Sequence, residues 1–292
     1  MDINFELYKI FYYAAKAENF SVAAEQLFIT QSAVSQAIKN LETKLGISLF
    51  FRKTRHLTLT HEGELLYSHI SQAFNFIKTA ENKLSEIQLL DAGEIRVGAS
   101  DTVCKYYLLP YLEKFTHLYP KIKIRVINRT SSQLTESLHR GLIDLAIITL
   151  PTADKTVKIN QLVSVEDILV ASPKFGELQA KKVDWSELNK YPLLMLERSS
   201  ATRRNFDRYL GQKGVVLAPE LELESVDLLV EFAKIGLGIG FVLKESAQNA
   251  LQSGELFEVE TNEKLPLRQL GAATIENVPL SQAALKFMSL LA

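Results

Sequence analysis

An all-helical N-terminal segment, a long helix and an α/β region in two lobes form the architecture that the sequence predicts. Three observations predict it. Residues 21–46 hold two short helical patterns joined by a tight turn, with an Arg/Lys-rich hairpin-like stretch behind them. Apolar residues then recur every three or four positions for about three heptads. Beyond residue 92, strand-like and helix-like runs alternate to the end of the chain.

In the first pattern, Ser21 is the expected N-cap, and Ala23, Ala24 and Leu27 leave little bulk where two helices must cross closely through Phe28-Ile29-Thr30. Thr30 then caps a second helix that Gly46 stops, and Val34, Ile38, Leu41 and Leu45 form its buried stripe. Advancing about 100° per residue places Ser32, Gln36, Lys39 and Thr43 on the opposite face, with Gln31 and Ser35 on its N-terminal flank. That face is short, polar and able to bond base edges or phosphates, which is the logic of a helix-turn-helix DNA reader.

Charge points the same way. Over residues 31–60 the cations Lys39, Lys44, Arg52, Lys53 and Arg55 face the single acid Glu42, in a chain whose net charge is −1. The stretch 49–59 is expected to present Arg52, Lys53 and Arg55 as a wing that pairs with phosphates or probes the minor groove. Thr60 starts the long helix, and Leu66, Ile70, Ala73, Ile77, Ala80, Leu84 and Ile87 form a seam that needs a partner, so residues 60–90 are expected to make a homodimer. Packing of the seam on its own domain is the alternative. Gly93, after Asp91-Ala92, is expected to end this linker.

The residues from Phe11 to Glu64 carry a dense resemblance: Ala15, Phe20, Ala23-Ala24, Leu27, Gln31-Ser32-Ala33-Val34-Ser35, Ile38, Leu41-Glu42, Leu45-Gly46, Leu49-Phe50, Arg52 and Leu59-Thr60-His61-Glu62-Gly63. The run resembles the N-terminal domain of LysR-type transcriptional regulators, more weakly so along the rest of the chain. The resemblance implies that Gln31, Ser32, Ser35 and Gln36 meet the major groove and Arg52 lies in the wing; Ser32 stands where the family often has proline. It also implies a winged helix-turn-helix domain over 1–59, a linker helix over 60–92 and an effector domain over 93–292 like a periplasmic binding protein. Lobe I would hold about 93–163 and 266–292, and lobe II about 164–265, with crossings near 161–165 and 263–267.

Read from the residues themselves, strands are expected at 94–99, 122–127, 145–148, 167–171, 192–196, 220–223, 240–243 and 267–274, with helices at 107–119, 131–140, 202–212 and 225–234 and a terminal helix at 281–290. Mostly parallel sheets covered by helices follow. The glycines of 236–240 join a helix to a strand, the wrong order for a dinucleotide loop, and read as a tight turn.

Two-lobed α/β domains bind small molecules where strands end and helices begin. Ser100-Asp101-Thr102, Arg129-Thr130-Ser131, Thr149 and Ser199-Ser200-Ala201-Thr202 all fall at such places, and the last opens a helix able to hold a carboxylate or phosphate oxygen, with Arg203 adding charge. Any one of these hydroxyls is most commonly a plain N-cap; their convergence from both lobes marks a cleft. The resemblance implies Ser100, Thr130 and Thr202 as effector contacts, with Thr102, Thr149 and Ser200 behind them.

Other chemistry finds little support. Cys104 is the only cysteine, so no intrachain disulfide or Cys-based metal site can form, and His56, His61, His69, His117 and His139 show no metal-ligand spacing. Near a helix start, Cys104 is a candidate for a lowered thiol pKa and redox sensing, against the bland reading of an inert buried thiol. Trp185 reads as core. No nucleophile, base and oxyanion constellation is evident, so neither catalysis nor a cofactor is expected. The N-terminus lacks a basic segment and apolar stretch, and no run approaches 18 apolar residues, so a cytoplasmic protein without a membrane span is expected.

The expected function is sequence-specific transcriptional regulation controlled by a small-molecule effector, with an anion among the candidates. The expected partners are an interrupted inverted repeat of double-stranded DNA and RNA polymerase, with a homotetramer implied by the family. A ligand-independent architectural DNA binder is the alternative; a solute-binding protein would leave residues 1–90 unexplained.

Overall fold

The computed structural model describes residues 3–51, 57–88, 93–276 and 278–291, with the side chains of 79 and 82–88 outside that description. The chain divides into two compact units after Glu81.

In the first unit, α1 (Phe5–Ala17), α2 (Phe20–Leu27) and α3 (Gln31–Leu45) pack around Phe11, Ala14, Ala23, Val34 and Leu41. The small alanines let α1 and α2 approach, as the sequence requires. The cap of α2 is Asn19 rather than Ser21: its side chain accepts the N–H groups of Ser21 and Val22, because the helix starts two residues earlier than expected. Thr30 Oγ1 accepts the Ala33 N–H at 3.2 Å, and Gly46 stops α3 at φ 72°.

After α3 the chain turns through Leu49 and Phe50, and Phe50 bridges Leu59 in antiparallel register, the base of a hairpin. The first contact that fixes this return is Glu42. Its buried carboxylate accepts the backbone N–H of Leu49 at 2.7 Å and of Phe50 at 3.3 Å. Thr60 Oγ1 then accepts the Gly63 N–H and starts α4 (His61–Gln88). A Cβ at Gly63 would lie 2.1 Å from the Leu49 carbonyl oxygen, so only glycine lets the helix pass this close to the hairpin.

The second unit holds two five-stranded sheets. Lobe I is built on β1 (Gly93–Ala99), β2 (Ile122–Asn128), β3 (Leu145–Thr149), β4 (Val157–Val165) and a strand from late in the chain, Arg268–Ile275, in the order β2-β1-β3-[268–275]-β4. Gly93 is the first residue of β1 and pairs with Ile122. Its helices are α5 (Asp101–Val103), which runs through a π-turn at Cys104–Leu108 into α6 (Leu109–Leu118), then α7 (Ser131–His139).

Lobe II holds β5 (Asp167–Ala171), β6 (Leu193–Leu196), α8 (Ala201–Gly211), β7 (Leu221–Leu223), α9 (Val226–Lys234), β8 (Ile239–Leu243), α10 (Lys244–Ser253) and β9 (Phe257–Glu258), with sheet order β7-β6-β8-β5-β9. The strand Arg268–Ile275 is β10, and α11 (Gln282–Leu291) closes lobe I against Phe115. Trp185 packs edge-on to Phe206 in the lobe II core. At the helix-to-strand turn, Gly236 has φ 76° and a Cβ at Gly238 would lie 2.4 Å from the Pro192 carbonyl oxygen.

The sheets are mixed, not mostly parallel. In lobe I, β1–β2 and β1–β3 are parallel while β10 runs antiparallel to β3 and β4; in lobe II, β6–β7 and β6–β8 are parallel while β5 runs antiparallel to β8 and β9. The reason is topological. Strands β1–β3 and β6–β8 run toward the hinge between lobes, whereas β5 and β10 start at the hinge and must run away from it. The first crossing is Glu166: Val165 pairs with Arg268 in lobe I and Asp167 with Leu243 in lobe II. The second lies between Thr261, which bridges Val183, and Arg268. Strand β4 and helix α10 were absent from the expectations; the alternation of β4 breaks at Leu162-Val163, where its register against β10 shifts by one residue.

Because Glu42 is buried and satisfies two N–H groups, replacing it by alanine leaves both donors without that acceptor. Glu42→Ala is expected to lower the stability of the N-terminal unit by about 1.5–3 kcal/mol, measured by denaturant unfolding, with Glu42→Gln retaining more than half of the difference.

Candidate functional site

The exposed side of α3 presents Gln31, Ser32, Ser35, Gln36 and Lys39 together, opposite buried Val34, Ile38 and Leu41. Ser32 Oγ lies 2.9 Å from Thr30 Oγ1, so the residue in the proline position is tied to the N-cap by a hydrogen bond. The inward turn of Glu42 removes the one acid of residues 31–60 from this surface, leaving it polar and basic. A signal for that was present: Glu42 is four residues after Ile38 and three before Leu45, within the apolar stripe. Arg52, Lys53 and Arg55 lie outside the described residues; the flanking pairing, with Phe51 N–H donating to Thr58 O at 2.9 Å, brings the chain back beside α3. Phe28, 95% exposed with φ 56°, stands at the expected turn between α2 and α3.

The seam of α4 is divided. Its first turns pack on α1: Tyr12 stacks on Phe74 at 4.7 Å between ring centroids and on Tyr67 at 6.0 Å, and Leu66 joins the core of the N-terminal unit. Further along, Ile77 and Ala80 are exposed; Leu84 and Ile87 lie outside the described side chains.

In the second unit, a cavity of about 370 Å³ opens between the lobes. It is lined by Ser100 and Thr102 beyond β1, Thr130 beyond β2, Thr149 at the end of β3, and Ser200 and Thr202 at the start of α8. The structure thus brings together all six predicted effector residues. Some are also caps. Ser100 Oγ accepts the Val103 N–H at 3.4 Å, and Thr130 forms a capping box with Gln133. Ser200 makes no side-chain cap bond, leaving its hydroxyl for the cavity.

Arg203 does not add charge here. It is 1% exposed and turned into lobe II, where it donates to Asp207, to Glu222 and to the Leu196 carbonyl. Position i+4 from Arg203 is Asp207, so the helix itself supplies a partner on the inward side. The cation that sequence reasoning missed is Arg268. From the first residue of β10 it forms a two-pronged pair with Asp167, Nε to Oδ2 at 2.6 Å and Nη2 to Oδ1 at 2.7 Å, while Nη1 donates to Thr149 Oγ1 at 3.2 Å. Arg268 and Asp167 are 8% and 9% exposed. No local pattern could have revealed a pair 101 residues apart.

The lining carries Asp101, Glu197 and Glu224 beside Arg129 and Arg268, and Arg268 is already neutralised by Asp167. Further lobe-to-lobe bonds flank the cavity: Arg204 Nη2 donates to Ser132 Oγ at 3.0 Å, and Lys105 Nζ pairs with Asp227 at 2.8 Å, with Tyr106 on the same carboxylate. Cys104, half-buried in the π-turn, is the reverse of the activated thiol considered above: burial, with the Asp101 charge adding to it, pushes its pKa up to about 11. Among the described residues no cluster of His, Cys, Asp and Glu could hold a metal ion, and no helix is long and apolar enough to cross a membrane.

Comparison with known proteins fits this two-part geometry. The family model "Bacterial regulatory helix-turn-helix protein, lysR family" matches residues 5–64, and "LysR substrate binding domain" matches residues 89–292. The chain belongs to the LysR family of transcriptional regulators: DNA-binding proteins with a ligand-controlled effector domain. It is 30% identical over 248 residues to the HTH-type transcriptional regulator CfxR of Cupriavidus necator, covering 85% of this chain and 78% of that protein. It is 29% identical over 275 residues to a probable RuBisCO transcriptional regulator of Cyanidioschyzon merolae, covering 92% and 91%. The crystal structure of full-length CbnR bound to its target DNA shares the fold, with a TM-score of 0.69 at 15% identity over 99% of both chains.

The raised thiol pKa makes a direct prediction. A shift up to about 11 leaves far less thiolate at pH 8, and the greater nucleophilicity of the more basic thiolate offsets only part of that loss, so iodoacetamide should alkylate Cys104 about ten times more slowly than an unperturbed thiol. Mass spectrometry of the timed reaction checks this.

Proposed function

We propose that this regulator reads an interrupted inverted repeat of double-stranded DNA as a dimer, with the exposed side of α3 in the major groove. The observation that carries the reading is the single polar face made by Gln31, Ser32, Ser35, Gln36 and Lys39, with Glu42 drawn inward. Arg52, Lys53 and Arg55 supply phosphate or minor-groove contacts from the wing. Ile77 and Ala80, exposed in the later part of α4, favour dimerisation through the distal seam, and two such dimers make a tetramer.

Ser100, Thr102, Thr130, Thr149, Ser200 and Thr202 bind a small effector between the lobes. Their hydroxyls, with the carboxylates of Asp101, Glu197 and Glu224 beside Arg129, favour a polar ligand that donates as well as accepts hydrogen bonds over a simple dianion. Effector binding favours one arrangement of the lobes, and the differential affinity for that arrangement shifts how the dimers lie on DNA and how RNA polymerase is recruited. The protein acts in the cytoplasm and needs no catalysis for this role.

The test is retention of sheared genomic DNA from the source organism by the purified protein at near-physiological salt, followed by sequencing. A few intergenic fragments sharing an interrupted inverted repeat are expected; uniform recovery would contradict the reading. On a recovered site, Arg52→Ala should weaken binding to all sequences and reduce the salt slope by about 1, whereas Gln36→Ala should relax preference at one base position by about 1–3 kcal/mol, both measured by titration across salt and base variants. Equal losses on every sequence would contradict this division of roles.

A further inference from the structure

Two lobes joined by two chain crossings can turn about them, so contacts far from the crossings decide the angle between the lobes. The crossings meet lobe I at β4 and β10 and lobe II beside β5 and β9, which is one end of each sheet. Toward the other end stand β1, which leads into α5, and the edge strand β7, which leads into α9. There the lobes touch again, through three side chains.

Asp227, in the first turn of α9, takes both lobe I donors. Lys105 Nζ donates to one carboxylate oxygen at 2.8 Å, and the Tyr106 hydroxyl donates to the other. Lys105 Nζ also lies 5.1 Å from the centroid of the Tyr106 ring, and that ring packs against the cores of both lobes. The π-turn makes this reach possible. Val103 and Leu108, both in the lobe I core, stand five residues apart, the spacing of a π-turn; in a regular helix residue 106 or 107 would follow Val103 into the core. Tyr106 is thereby released to cross to lobe II.

Burial alone would raise the Asp227 carboxyl, but the bonds from Lys105 and Tyr106 hold it below the usual carboxylate range, so it meets Lys105 as a charged pair. The bond from Arg204 to Ser132, also between lobes, is a single exposed contact with no charge on the accepting side. We propose that Lys105, Tyr106 and Asp227 form a latch that sets the angle between the lobes and with it the width of the cleft. The hinge pair of Arg268 and Asp167 fixes the pivot; the latch fixes the rotation about it. The latch does not depend on which molecule the cleft binds.

The test measures the lobe-to-lobe distance in the full chain by double electron–electron resonance. Spin labels go on Glu113→Cys in α6 and Gln248→Cys in α10, both exposed positions, in a Cys104→Ala background. Excess unlabelled chain is added so that only distances within one chain are read. A single narrow distribution is expected. Asp227→Ala should broaden it and lengthen its mean, Lys105→Glu should do the same, and Lys105→Glu combined with Asp227→Lys should bring back the original distribution. Ser132→Ala, which removes the Arg204 contact, should leave it unchanged. Circular dichroism melts establish that each variant folds. An unshifted distribution in Asp227→Ala, a charge swap that restores nothing, or an equal shift in Ser132→Ala would overturn the latch.

Discussion

The pair between Arg268 and Asp167 is the constraint on which the two-lobed unit depends. Arg268 opens β10 at its return into lobe I, and Asp167 opens β5 at the entry into lobe II, so the bond ties the two crossings of the chain to one another. Burying two charges is costly, and the pair gains from being two-pronged with Thr149 taking a third donor. Removing one partner strands the other charge in the hinge, at a cost of about 3–5 kcal/mol. Such a bond holds a geometry more than it adds stability: it fixes where β3, β5 and β10 end or begin, and therefore where the hydroxyls of the cleft stand.

The N-terminal unit obeys a similar rule on a smaller scale. A carboxylate, Glu42, is drawn out of the recognition helix's solvent side to hold the backbone of Leu49 and Phe50. One placement thus orders the chain after α3 and clears negative charge from the exposed side of α3. The close pass of Gly63 over Leu49 then positions α4, whose first turns are spent on Tyr12 and Phe5.

Much of this was legible because it is local. Helical spacing located the stripe of α3, Thr30 and Gly46 bounded it, and strand-helix alternation put Ser100, Thr130 and Thr202 at the mouth of one cleft. What was not legible depends on tertiary partners. Arg203 looked like a cleft cation because it opens a helix, yet Asp207 and Glu222 draw it inward. Cys104 looked activated by position, yet burial raises its pKa. Asn19 displaced Ser21 as a cap because both residue types suit the role and only the backbone decides. The direction of β5 and β10 follows from the crossings, which no strand pattern encodes.

The central claim is that the hinge node links the state of the cleft to the way DNA is held. DNase I footprinting of the full-length protein on its own operator, comparing wild type with Asp167→Asn, tests it most directly, with circular dichroism showing that the variant is folded. The account predicts retained protection of the primary half-site with a changed extent or spacing of the remaining footprint, because the lobes lose their fixed relation while α3 is untouched. A footprint identical to wild type, from a folded variant, would contradict it.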